Sequence, residues 1–123
     1  MNTSDGSPGT APAARSPQPL VSDRVQLVGA GGQVLHVGVR TALGKHLARQ
    51  FGADAEFWDA QQMVLERRPD RQWQVAPLPG TTNETLVNGE ALAAPRALRE
   101  GDVLAVGRQA KGVVKLPLTV RAL

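Results

Sequence analysis

The chain has 123 residues, 20% of them charged, and a formal net charge of +3. That length suits one domain whose core needs no covalent staple, and the absence of cysteine excludes disulfides and thiol chemistry. No run approaches the roughly 18 apolar residues of a membrane span, and no basic segment leads into an apolar one at the N-terminus, so a cytoplasmic protein without membrane contact is expected.

Residues 1–22, MNTSDGSPGTAPAARSPQPLVS, are dominated by Pro, Gly, Ser, Thr and Ala. Such a segment buries too little apolar surface to offset its ordering entropy, and it reads as a disordered tail before a domain at 23–123. Val25 and Leu27, then Val34, Leu35, Val37 and Val39, flank Gly29-Ala30-Gly31-Gly32 and predict two strands joined by a glycine turn. Leu43, Leu47 and Phe51 share one face of a short helix that Gly52 would stop. Phe57-Trp58 with Met63-Val64-Leu65 predicts a strand, 67–71 a turn, and Gln72-Trp73-Gln74-Val75 a half-buried strand. Leu86-Val87 runs into Asn88-Gly89, a strong hairpin signal. Gly101-Asp102 turns the chain into Val103–Gly107, and Val113 to Val120 supplies a last strand or pair. Short strands with a turn signal every 8–12 residues predict an all-β sandwich.

Catalytic readings find no residues to carry them. His36 and His46 are badly spaced for a zinc pair and have no cysteine partners, so each reads as structural or solvent-exposed. No serine follows Ser22, which leaves the folded part without a seryl nucleophile. Asp54, Glu56 and Asp59 lack the pattern of a calcium loop. No metal, cofactor or catalytic residue is expected, and the chain reads as a binding protein. A charge of +3 and 3% aromatics make a weak footprint for nucleic acid.

The segment Thr81-Thr82-Asn83-Glu84-Thr85-Leu86-Val87-Asn88-Gly89 supplies hydroxyls and an amide suited to gripping an extended peptide, or to bracing its own loop. With Leu98-Arg99-Glu100-Gly101-Asp102-Val103-Leu104-Ala105-Val106-Gly107, and with Trp73 in the strand before, it resembles the forkhead-associated (FHA) family in a divergent, bacterial-type form. Spacing within that resemblance puts Gly44-Lys45 in place of the family's Gly-Arg. It puts Asp59-Ala60-Gln61-Gln62 in place of Ser-x-x-His. The resemblance spans about 25–123 and implies an FHA-like β-sandwich of about eleven strands whose apical loops read phosphothreonine peptides.

Carried over residue by residue, Lys45 becomes a phosphate ligand, Thr82 a hydroxyl donor and Asn83 the clamp on peptide backbone, with Asp59 and Thr81 beside them. Arg40, His46 and Ala60 are additional candidates. Arg40 is a competing match to Gly-Arg, and Ala60 would take the Ser position after a one-residue slip. Lysine retains the charge of arginine but not its bidentate fork, Asp59 puts a carboxylate where the family has a hydroxyl, and Glu84 adds a second anion. The expected function is therefore a monomeric signalling adaptor for a phosphothreonine protein, such as a Ser/Thr-kinase substrate. The alternatives are phosphate-independent protein binding through the same loops or a lateral face, and a basic nucleic-acid-binding β domain, which a salt-dependent mobility shift would reveal.

Overall fold

The computed structural model describes residues 18–123 as two antiparallel sheets packed face to face. Their strands are β1 (Val25–Gly29), β2 (Val34–Val37), β3 (Arg40–Leu43), β4 (Met63–Arg67), β5 (Trp73–Pro77), β6 (Glu84–Val87), β7 (Glu90–Ala91), β8 (Arg96–Ala97), β9 (Val103–Arg108) and β10 (Val113–Ala122). One sheet has the order β2-β1-β10-β9-β6-β7 and the other β3-β4-β5-β8. The expected sandwich is present with ten strands among the described residues, where about eleven were expected.

Alternation builds the core. Val25, Leu27, Leu104, Val106, Leu118 and Val120 enter from the larger sheet, and Leu43, Met63, Leu65, Trp73 and Val75 from the smaller; all are buried. The predicted glycine turn joins β1 to β2, and Asn88-Gly89 joins β6 to β7 with φ of 54° and 84°. Positive φ at both positions is what a two-residue turn with the twist of its strands requires. The last segment is one strand, broken by a register shift between Lys115 and Leu118. Leu116 there has φ 56°, and Pro117 has no N–H to give to the ladder.

Two expectations change. Phe57-Trp58 is not strand: Phe57 ends a 3-10 turn (Ala53–Phe57), and Trp58 drops into the core just after it, 1% exposed. A large aromatic plugs the sandwich from a loop as well as from a strand, so apolar character alone misled the reading. The tail boundary also moves. Residues 1–17 lie outside the described residues, but Leu20 is buried, donates its N–H to Leu98 O at 2.8 Å and accepts from Trp73 N–H. Ser22 O takes the Trp73 indole N–H at 2.8 Å. One leucine, with backbone groups able to pair with the neighbouring chain, is enough to dock this otherwise polar stretch.

Strand direction sets the two ends. β1, β3, β5 and β9 all run toward the loops at 30–33, 44–62, 78–83 and 109–112, while the segment 18–24 and the turn at 68–72 lie at the opposite end. No helix among the described residues is long and apolar enough to cross a membrane.

Candidate functional site

The loop end is built around Gln62, which is fully buried just before β4. Its side-chain oxygen accepts the Asp59 N–H at 3.0 Å, and its amide donates to Asn83 O at 3.1 Å and to Thr85 Oγ1 at 2.9 Å. Leu78 N–H closes on Gln62 O at 3.0 Å. One side chain thus ties loop 44–62 to loop 78–83. It stands where the family resemblance puts the histidine of Ser-x-x-His, and it supplies both a donor and an acceptor.

Gly44 follows β3 and allows the two arms of the long loop to meet. A Cβ at this position would lie 1.8 Å from Ala60 O, a clash with backbone that only glycine avoids. The short helix α1 (Lys45–Ala48) follows, with Lys45 half-buried and His46 exposed. Lys45 donates its backbone N–H to Asp59 O at 2.9 Å, which holds Asp59 against the start of α1.

Asp59 reaches across to the second loop. Its carboxylate accepts the Thr82 N–H at 2.5 Å and the Thr82 hydroxyl at 3.3 Å. Asn83 donates its side-chain amide to Phe57 O at 2.8 Å. From the other side, Arg108 at the end of β9 donates to Thr82 O at 2.8 Å, and Gln109 N–H is held by Glu84 Oε1 at 2.8 Å. The 81–84 segment is therefore gripped by the 44–62 loop on one flank and the β9–β10 connection on the other. Lys115 also lies over the Phe57 ring, 5.0 Å from its centre.

Lys45, Asp59, Thr81, Thr82 and Asn83 come together at this end, with His46 on α1 and Ala60 exposed beside Asp59. Asp59, not Ala60, faces Thr82; Ala60 contributes its carbonyl to the contact with Gly44. Arg40 does not join them. It opens β3 opposite Glu66, near the 68–72 turn at the far end of the domain. Glu84, expected as a second free anion near the ligand, is engaged by Gln109. Arg108 was not foreseen, because its contact with Thr82 spans 26 residues and leaves no local pattern. The brace by Gln62 had a signal in the three-residue spacing from Asp59.

Next to Thr81, a cavity of about 460 Å³ opens between Pro77, Leu78, Glu84 and Leu92. No cluster of three or more potential metal ligands occurs among the described residues.

No family model matches the sequence, and neither does any curated protein. Solved structures do. A chain from an analysis of phosphothreonine-dependent FHA domain interactions superposes with a TM-score of 0.61 at 20% identity, over 81% of this chain and 97% of that one. The FHA domain of an Arabidopsis thaliana hypothetical protein gives 0.65 at 19% identity, over 94% and 95%. Mycobacterium tuberculosis EmbR, in complex with a low-affinity phosphopeptide, gives 0.61 at 14% identity, over 80% of this chain and 24% of that one. The sandwich of this chain has the forkhead-associated fold.

Proposed function

We propose that the domain is a protein-interaction module that reads a phosphothreonine-bearing segment of a partner across the loops at 44–62 and 78–83. One observation carries this reading: the N–H and hydroxyl of Thr82 converge on a single anionic group, the Asp59 carboxylate. Two donors aimed at one anion make a cradle that a phosphate oxygen also fits, and hydrogen bonds to an ionised acceptor are the strong ones. Two cationic residues adjoin the cradle: Arg108 through its side chain on Thr82 O, and Lys45 through its backbone N–H on Asp59 O. EmbR, part of which superposes on this chain, is in complex with a low-affinity phosphopeptide, which supports a phosphopeptide ligand for this fold. The cavity beside Thr81 then receives residues flanking the phosphothreonine, and the partner is a soluble, cytoplasmic substrate of a Ser/Thr kinase.

A second reading rests on the same contact. With Asp59 already in the cradle, an unphosphorylated peptide that pairs with the loop backbone needs no anion at all. Fluorescence anisotropy against a degenerate phosphothreonine peptide library, beside its unphosphorylated counterpart, separates the two. Binding confined to the phosphorylated set, and weakened at least about tenfold in Lys45→Ala and Asn83→Ala, is the expected result (a factor of ten is about 1.4 kcal/mol). Equal binding to both sets removes the phosphate from the proposal and leaves the second reading.

A further inference from the structure

We propose that Asp59 determines which ligand charge this site accepts, acting as an internal anion that a phosphate must displace from Thr82. The inference rests on the phosphopeptide reading above and adds the step that limits it. In the free domain both outward donors of Thr82 are taken by the Asp59 carboxylate. Everything around that contact is pinned from elsewhere. The Asp59 backbone is held at both its carbonyl and its N–H, by Lys45 N–H and by Gln62 Oε1. Thr82 is held at its carbonyl by Arg108, and the Asn83 side chain by Phe57 O.

Among the described residues the Asp59 carboxylate is hydrogen-bonded to Thr82 alone, so a side-chain rotation opens the cradle with the loops in place. The carboxylate belongs to the same chain and competes at an effective concentration of about millimolar or higher. A monoanionic glutamate or aspartate side chain of a peptide gains nothing over it. A phosphate, with charge near −2 and three acceptor oxygens, does gain. Neither Lys45 nor Arg108 has an ion-pair partner among the described residues, and Arg108 holds Thr82 O through one guanidinium nitrogen, so no carboxylate offsets either positive charge against an incoming dianion.

The test compares wild type with Asp59→Asn and Asp59→Ser, using a fluorescein-labelled phosphothreonine peptide library and its unphosphorylated and glutamate-substituted forms. Both variants are expected to bind the phosphorylated set at least about tenfold more tightly than wild type, with no gain for the unphosphorylated set. Equal affinity of wild type and variants for the phosphorylated set overturns the proposal while leaving the phosphopeptide reading intact. No phosphate preference in any of the three proteins overturns both. Amide hydrogen exchange supplies a readout independent of any peptide: Thr82 N–H is expected to exchange faster in Asp59→Ala than in wild type. An unchanged Thr82 rate, with the other amides of the sandwich still protected, means the carboxylate does not hold the cradle in solution and also overturns the proposal.

Discussion

At the scale of single residues, the exposed loops of the site rest on one buried polar side chain whose hydrogen bonds must all be met. Gln62 is fully buried and uses both ends of its amide, accepting from Asp59 and donating to Asn83 and Thr85. Replacing it by leucine retains the volume and strands these partners. Gln62→Leu is expected to cost about 2 kcal/mol of stability, the penalty for leaving buried polar groups unpaired, as measured by urea denaturation. The same variant frees loop 78–83 from loop 44–62 and should weaken peptide binding with it. Asp59 carries the opposite tension. It braces Thr82 in the free domain, yet a bound phosphate beside it faces like-charge repulsion of roughly 4 kcal/mol for unit charges ~4 Å apart at an effective dielectric of ~20. Its partial exposure lowers that figure, and rotation of the side chain relieves it.

Among the elements, the decisive feature is how closely the arms of the 44–62 loop approach. β3 and β4 are hydrogen-bonded neighbours, but the chain between them makes α1 and two 3-10 turns before it returns. Gln62 N–H on Leu43 O at 2.9 Å and Lys45 N–H on Asp59 O close the base of that excursion. Gly44 sits between these bonds with Ala60 O against it. Gly44→Ala must push the arms apart, at a cost of about 1–3 kcal/mol of the kind that overpacking imposes. Because this displaces Asp59 and Lys45 together, the variant is expected to lose peptide binding even where thermal melting shows that it still folds. The 88–89 turn is fastened differently. Asn88 donates to Asp102 Oδ1 at 3.0 Å and accepts from Val103 N–H at 3.0 Å, so the hairpin loop is latched to the start of β9.

Over the whole molecule, the domain begins earlier than its composition implies. Leu20 seals the edge between Trp73 and Leu98, and Ser22 O is the acceptor for the Trp73 indole. A chain starting at Asp23 loses the burial of a leucine side chain, worth about 1.5–3 kcal/mol, and leaves the indole N–H without its partner. A chain starting at Gln18 retains both. Differential scanning calorimetry should therefore place the melting temperature of the shorter chain about 10 °C or more below that of the longer one, given about 4–8 °C per kcal/mol for a domain of this size. This edge lies at the opposite end from the loops at 44–62 and 78–83, so under the proposed function the shorter chain, where folded, is expected to bind peptide unchanged.

The strands and turns were readable because they depend on near neighbours. Alternation along β1 and β5 reports which face is buried, and Asn88-Gly89 reports a turn because these residues tolerate positive φ. The Leu98–Gly107 and Thr81–Gly89 blocks then pointed to the FHA-like sandwich, and solved FHA structures superpose on it. The state of the site was decided elsewhere. Asp59 meets Thr82 across 23 residues, Gln62 meets Asn83 across 21, and Arg108 meets Thr82 across 26. Leu20 finds its place only between Trp73 and Leu98. By itself the sequence determined which residue types stand at the loop end. Which donor meets which acceptor there was decided by the packing of the two sheets, because a side chain's partner is set by distance in space and these partners are far apart along the chain.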